Sequence, residues 1–166
     1  MSAEIRNEQR MAMTKSIYSI VPASSQSIEQ LVLAGNYDGE VDAEITQENF
    51  PEDLGLENHD IWLICMGHEA TTKTVAGQID KLGYREANMR ELLIFGKQYP
   101  DIEHPFAIAA PGPAWLPPHI KRHSVTLRCV GLLFGDSGLR SVCLSFVGDS
   151  FRWDADTQFL VVRRDL

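Results

Sequence analysis

The residues best suited to covalent chemistry form a short polar stretch, Gly135-Asp136-Ser137-Gly138, between two apolar runs. A serine in this setting could act as a nucleophile, but that chemistry also requires a histidine base, an orienting carboxylate and an oxyanion hole. The chain lacks a histidine neighbourhood that fits such a site. Because Asp-Ser-Gly is also common in hairpin turns, we predict a turn between two strands here.

Metal ligation is the second chemistry to consider, because the chain contains five histidines and three cysteines. The histidines are His59, His68, His104, His119 and His123. No two of them have the spacing of metal ligands on a helix, and no cysteine cluster accompanies them. The sequence therefore predicts no catalytic residue, no bound metal and no cofactor.

The cysteines Cys65, Cys129 and Cys143 each lie inside an apolar run. A free thiol in such a run behaves as a small hydrophobic residue, so we predict buried and reduced thiols. Cys129 and Cys143 fall on neighbouring predicted strands, and the sequence alone leaves a disulfide between them open.

The most varied polar segment is Gly148 to Thr157, which combines Asp, Ser and Arg with aromatic residues. It is too polar to be core, yet it lies between two apolar runs, Leu139–Phe146 and Phe159–Val162, that predict buried strands. Polar loops held on a rigid sheet are frequent sites of binding. We therefore expect a recognition surface in this segment.

The bulk properties narrow the class of protein. A chain of 166 residues that is 44% hydrophobic and 23% charged is typical of one globular domain. Its formal net charge of −8 disfavours sequence-independent nucleic-acid binding and docking on anionic lipid. It shows neither an N-terminal signal nor an apolar stretch of membrane-spanning length. We predict a soluble protein made in the cytoplasm, with association to a virion or cell surface through a partner as a further option.

Apolar spacing and turn residues predict the elements that must position the loop. Met1 to Lys15 shows no periodicity and predicts a flexible tail before a single domain at 16–166. The apolar runs that predict strands are Ser16–Val21, Ile61–Met66, Phe106–Ala110, Leu127–Phe134, Leu139–Phe146 and Phe159–Val162. This order, with helices only in the first two thirds, predicts an α+β domain with an antiparallel sheet.

Capping residues predict three helices. Ser27 begins a helix that ends at Gly35, and Thr71 and Thr72 begin a second that ends at Gly83. Asn88 with Glu91 three residues later begins a third, which stops at Pro100. The acidic stretch Asn36–Asp53 predicts an irregular segment with at most one edge strand.

Three stretches carry a resemblance to a known fold. Thr74–Leu93 is similar to a pair of helices joined by a Gly-bearing turn, and Pro111–Trp115 to the Trp-bearing loop that follows them. Ser145–Arg163, with Trp153 and the terminal Val-Arg, is similar to a closing strand pattern. Together they resemble the C-type lectin fold in its broad sense, which includes the formylglycine-generating enzyme. The resemblance implies an antiparallel sheet with two helices packed on it and terminal strands near one another.

The chain also departs from that family. It lacks the disulfide cysteines of animal lectin domains, the Glu-Pro-Asn or Gln-Pro-Asp calcium and sugar motif, and the cysteine pair of the formylglycine enzyme. Its closing pattern most resembles the variable proteins of diversity-generating retroelements. Their adenine-directed mutagenesis cannot produce Trp, Gln, Glu, Lys or Met, and every residue of Arg140–Thr157 except Trp153 lies in the permitted set. The resemblance implies a viral or microbial source and a variable region at about 124–158.

The expected binding residues are the permitted ones on the predicted strand and in the loop after it. They are Ser141, Cys143, Ser145, Asp149, Ser150, Phe151, Arg152, Asp154, Asp156 and Thr157. In the strand, residues two apart share a face, so we expect the Ser141 side to be displayed and the Val142 side to be core. Trp153 is expected to be scaffold. The implied partner is an unknown protein or surface ligand, without nucleic-acid binding or membrane insertion.

Two alternatives stay open at this point. One is an enzyme of the formylglycine-generating or a minor hydrolase type. The other is a structural or assembly protein whose loop is inert.

Overall fold

The computed structural model describes residues 16–20, 26–51, 59–100, 107–110, 128–134, 139–148 and 150–164. Within these ranges the helices are α1 (Ile28–Ala34), α2 (Thr72–Lys81) and α3 (Met89–Gln98). The strands are β1 (Ser16–Ile20), β2 (His59–Cys65), β3 (Ala70–Thr71), β4 (Tyr84–Glu86), β5 (Ile108–Ala110), β6 (Arg128–Phe134), β7 (Ser141–Val147), β8 (Arg152–Trp153) and β9 (Gln158–Arg163). The predicted tail 1–15, the loop 111–118 and the turn 135–138 lie outside the described residues.

Each helix begins at a capped residue that the sequence predicts. Ser27 Oγ accepts a hydrogen bond from the Gln30 amide while the Gln30 side chain accepts from the Ser27 amide. Asn88 and Glu91 form the same reciprocal pair at the start of α3. These boxes satisfy amides that the first helical turn leaves without partners, and they fix where α1 and α3 begin.

The main sheet has seven strands in the order β1-β2-β9-β5-β6-β7, and β4 also pairs with β9. β5 and β4 share one edge of β9, with β5 alongside Gln158 and β4 alongside Arg163. The β5–β9 pair is parallel, whereas the other pairs of the sheet are antiparallel. The α+β class with a mostly antiparallel sheet is therefore confirmed.

Helices cover both faces of this sheet. Ile61 and Leu160 point to one face, where they join a core cluster with α1 and α3. Phe159, the chain neighbour of Leu160, and Ile64, three residues after Ile61, point to the other face and join a cluster with α2 and Trp153 of β8. Because β9 is a central strand with both faces covered, it needs apolar residues on each side, and its sequence is therefore a continuous apolar run. The two helices from Thr72 to Gln98 lie on opposite faces.

The first and last strands of the described chain lie on the same half of the sheet but are not paired with each other. β1 is an edge strand beside β2, and β2 separates it from β9. β9 is thus held on both edges, which makes it the centre of the sheet.

The helix α3 is buried along most of its length, from Met89 to Gly96. Gly131 of β6 lets it approach the sheet, because a Cβ there would lie 2.7 Å from Met89 Cε. Glu91 has no exposed side-chain surface and receives two hydrogen bonds from Arg85, at 2.8 and 3.0 Å. The pair neutralises the carboxylate that caps the helix, which an apolar site would otherwise penalise.

Candidate functional site

Trp153 anchors the polar loop between β7 and β9. Its side chain is 4% exposed, and its ring packs edge-on against Phe159 with centroids 5.4 Å apart. The indole Nε1 donates to Thr72 Oγ1 at 3.2 Å, so its polar atom is satisfied at the start of α2. The backbone on either side of Trp153 is therefore held in place by this buried side chain.

Short backbone contacts hold the loop at three further places. The Phe151 amide donates to the Gly148 carbonyl at 3.1 Å, and the Thr157 amide donates to the Asp154 carbonyl at 3.2 Å. Arg152 lies opposite Thr71 in the small β3–β8 sheet. Since both ends and the middle are bonded, the loop is a structured surface.

The turn at Ala155 is fixed from the neighbouring strand end. Its carbonyl accepts from Cys65 Sγ at 2.9 Å and from the Gly67 amide at 3.2 Å. Gly67 has φ 75°, a backbone conformation that glycine adopts without steric cost. The half-buried Cys65 thiol thus has a structural contact in the described fold.

The expected binding residues differ in exposure. The exposed residues are Ser150, Phe151, Arg152, Asp154 and Asp156. Ser141, Cys143 and Ser145 are half-buried. Asp149 lies outside the described residues. Thr157 is 5% exposed, so the expectation that it shares an exposed face is wrong. It directly precedes β9, and that position next to the central strand buries it despite its hydroxyl.

Alternation along β7 separates the two sets that the sequence predicts. Val142 is buried in the cluster with α1 and α3, and Leu144 packs against that cluster. Cys143 and Ser145 therefore point to the opposite face of the sheet. On that face Val147, further along β7, joins the cluster of Trp153.

A second chain segment lies along the free edge of β7, at Gly39–Asp42, which we call the edge segment. The Val142 amide donates to the Glu40 carbonyl at 3.0 Å, and the Asp42 amide donates to the Val142 carbonyl at 3.1 Å. Ser141 Oγ accepts from the Glu40 amide at 2.9 Å. Ser141 therefore serves to bind the edge segment.

Arg140 fastens this region to α3. Its guanidinium donates to the carbonyls of Gly35 and Gly96, the latter at 2.6 Å. It also lies over the Tyr37 ring, with Cζ 4.8 Å from the centroid. A Cβ on Gly96 would overlap the Tyr37 hydroxyl, so a larger residue there would displace the Tyr37 side chain. No sequence pattern indicates this cluster, because its members lie far apart in the chain and share no common spacing.

Electrostatics around Cys143 disfavour its thiolate. Burial raises the pKa of the thiol, and the carboxylates of Glu40 and Asp42 raise it further. A thiol with a raised pKa is a poor nucleophile at neutral pH, because the thiolate is the reactive form. The described surroundings of Cys143 therefore do not activate it.

The strand register decides the question of a disulfide between β6 and β7. Cys129 lies opposite Phe146, whereas Cys143 lies opposite Leu132. The two cysteines are thus three register positions apart, roughly 10 Å along the strands. That separation exceeds what a disulfide spans. Cys143 is a free cysteine.

No group of three or more His, Cys, Asp and Glu side chains in the described part of the chain is placed to hold a metal ion. None of the helices α1, α2 and α3 has the length and apolar character needed to cross a membrane. Comparison with protein-family models, with curated proteins and with solved structures gave no match in any of the three. The site must therefore be judged on its own geometry.

What this geometry offers is a display of varied side chains on a rigid support. Ser150, Phe151 and Arg152 precede the buried Trp153, and Asp154 and Asp156 follow it. Phe151 is 37% exposed and packs edge-on against Trp153 at 4.9 Å. An apolar ring, a guanidinium and two carboxylates are thus presented within seven consecutive positions, 150–156.

Proposed function

We propose that this protein is a non-enzymatic binding module whose recognition surface is the loop 150–156. The observation that carries the proposal is the contrast at Trp153, a buried and hydrogen-bonded residue with exposed residues on both sides. A loop that is already ordered loses little conformational entropy when a ligand binds. Aromatic and Arg side chains are also the types that contribute most to protein interfaces.

The proposed contact residues are narrower than the set expected from sequence. They are the exposed loop residues Ser150, Phe151, Arg152, Asp154 and Asp156, and the half-buried Ser145 of β7 is left out with the other strand positions. Ser141 and Cys143 are left out because they contact the edge segment, and Thr157 because it is buried. Phe151 supplies the apolar anchor, and Arg152 supplies a planar donor for carboxylates.

Site-specific photocrosslinking in the source cell tests this proposal. A photoreactive amino acid at Ser150 or Asp156 should capture a defined partner that the same group at Lys81 does not capture. Lys81 is an exposed residue near the end of α2 and serves as the matched control. A second arm, the Arg152→Ala variant, should weaken the capture at Ser150. Equal products from Ser150 and Lys81, or none from the loop positions, would contradict the proposal.

The finer assignment is also a proposal: a C-type lectin-like scaffold diversified by a retroelement. Its support is the sequence resemblance around Trp153, together with exposed flanking residues that adenine-directed mutagenesis permits. The surrounding DNA provides the test. A nearby reverse-transcriptase gene and an adenine-rich template repeat of the last hundred or so bases are expected. If both are missing, the retroelement origin is wrong, and the binding proposal still stands on the loop geometry.

A further inference from the structure

The edge segment, which belongs to the same chain, pairs with the outer edge of β7 as an added strand would. The edge segment runs parallel to β7 and forms a bridge between Val41 and Val142. Its bonds to Val142 use both the amide and the carbonyl of that residue, and the Gly39 amide bonds the Arg140 carbonyl at 2.8 Å. The edge segment therefore bonds to one edge of β7 as a strand of a sheet would. The antiparallel partner β6 lies along the other edge of β7.

The edge segment covers only the first part of the strand. In an antiparallel pair, alternate residues direct their amide and carbonyl away from the partner. Since Val142 directs both groups outward, Leu144 and Phe146 direct theirs to the same side. Among the described residues, no backbone partner lies on that side of Leu144 or Phe146. A ladder could continue there for about three more residues.

The charge of the edge segment favours one kind of occupant. The stretch 36–50 carries acidic residues and no Lys or Arg. Its acidic residues are Asp38, Glu40, Asp42, Glu44 and Glu48. Asp38 and Glu40 are exposed, and Glu40 is bonded directly to β7. A strand added after the edge segment would begin beside these carboxylates, so lysine or arginine side chains would be attracted and acidic ones repelled.

We propose that the partner of this protein adds a basic, extended segment to the edge of β7 at residues 144–146. The inference rests on the proposed binding function, because β7 leads through Val147 directly into the recognition loop. Strand addition gives affinity through backbone hydrogen bonds, and the side chains next to it give specificity. The loop would then contact the same partner beyond the added strand.

Amide hydrogen exchange of the full chain tests the site. The probe is a synthetic peptide of alternating Lys and Val, and an alternating Glu and Val peptide is the matched control. The basic peptide should slow exchange of the Leu144 and Phe146 amides on the order of tenfold or more, and the acidic peptide should not. High salt should reduce the effect.

Variants separate charge from general binding. The Glu40→Gln variant should bind the basic peptide several-fold more weakly, whereas Glu69→Gln, an exposed acid near β3, should bind as the parent does. Slow exchange of Leu144 and Phe146 in the free protein would overturn the inference, because the edge would already be filled. Exchange that stays fast with the basic peptide would also overturn it. Neither result affects the crosslinking test of the loop.

Discussion

The guanidinium of Arg140 lies over the ring of Tyr37, with Cζ 4.8 Å from the centroid, and donates to two backbone carbonyls. Gly35 at the end of α1 supplies one carbonyl, and Gly96 near the end of α3 supplies the other. The last carbonyls of a helix lack intrahelical partners, and a cation there is favoured by the helix dipole. The Arg140 side chain, which lies directly before β7, thus links α1 and α3, the two helices on one face of the sheet.

Arg140→Ala should destabilise the fold by about 2–4 kcal/mol. The substitution removes charge-assisted hydrogen bonds to two carbonyls and the contact with the Tyr37 ring. Urea unfolding followed by circular dichroism measures the loss. Arg152→Ala is the control, because Arg152 is exposed and its removal should cost less than about 0.5 kcal/mol. Equal losses in the two variants would show that the Arg140 contacts do not stabilise the fold.

Tyr37 should make the protein sensitive to alkaline pH. Burial raises the pKa of its hydroxyl from 10.0 to about 12, and the nearby Arg140 opposes this only in part. Below pH 10 the hydroxyl is protonated in both states. Between pH 10 and 12 it ionises in the unfolded chain while the folded protein keeps the proton, so stability falls. The full effect is about 2–3 kcal/mol.

Comparison with Tyr37→Phe isolates this effect from other groups that titrate at high pH. The Tyr37 hydroxyl is buried and has no hydrogen-bond partner among the described residues. The variant should therefore be as stable as the parent at pH 7, within about 1 kcal/mol. Its stability should fall less steeply than that of the parent above pH 10. Parallel pH profiles for the two proteins would rule out the predicted role of Tyr37.

The Arg85–Glu91 pair should matter more than the Arg164–Asp80 pair. Glu91 is fully buried, whereas Arg164 and Asp80 are 56% and 59% exposed. Arg85→Ala removes two charge-assisted hydrogen bonds to a buried carboxylate and should cost about 3–5 kcal/mol. Arg164→Ala should cost less than about 1 kcal/mol, because exposed pairs gain little. Unfolding of both variants in urea checks the ranking, and similar costs would contradict it.

Sequence patterns predicted the elements whose causes are local. The capping pairs at Ser27 and Asn88 and the apolar runs of β2, β7 and β9 each depend on residues within a few positions of one another. The edge segment is different, because the bond between Glu40 and Ser141 joins residues 101 positions apart. Periodicity shows which side of a strand is buried, but it does not show which segment lies beside it. The parallel pairing of β5 with β9 is hidden for the same reason.

The candidate site shows the same division. Polarity alone was enough to place exposed residues around Trp153, since Asp, Ser and Arg are rarely buried without partners. It failed at Thr157, whose burial follows from its place beside the central strand. Polarity also does not show that Ser141 bonds the edge segment, because a serine hydroxyl can form hydrogen bonds with water and with a backbone amide equally well.

The Cys143 thiol should react slowly with alkylating reagents at neutral pH. Its pKa is raised by burial and by the carboxylates of Glu40 and Asp42, so little thiolate is present. Glu40→Gln removes one of these charges and should shift the pH profile of alkylation to lower pH. Mass spectrometry of the peptide that contains Cys143 follows the rate. Glu69→Gln is the control, since Glu69 is an exposed acid next to β3 and its substitution leaves Glu40 and Asp42 in place. An unchanged profile in Glu40→Gln would show that the carboxylate does not act on the thiol.

Among the loop residues, replacement of Trp153 should destabilise the fold most. Its ring packs against Phe159 and its Nε1 bonds Thr72, so Trp153→Ala leaves a cavity and an unsatisfied hydroxyl. Such truncations typically cost about 3–5 kcal/mol. Ser150→Ala and Asp156→Ala should each change stability by less than about 0.5 kcal/mol, because both residues are exposed. Thermal melts of the three variants test this contrast. If Ser150→Ala or Asp156→Ala unfolds the protein as readily as Trp153→Ala, the loop is part of the core and cannot serve as a replaceable binding surface.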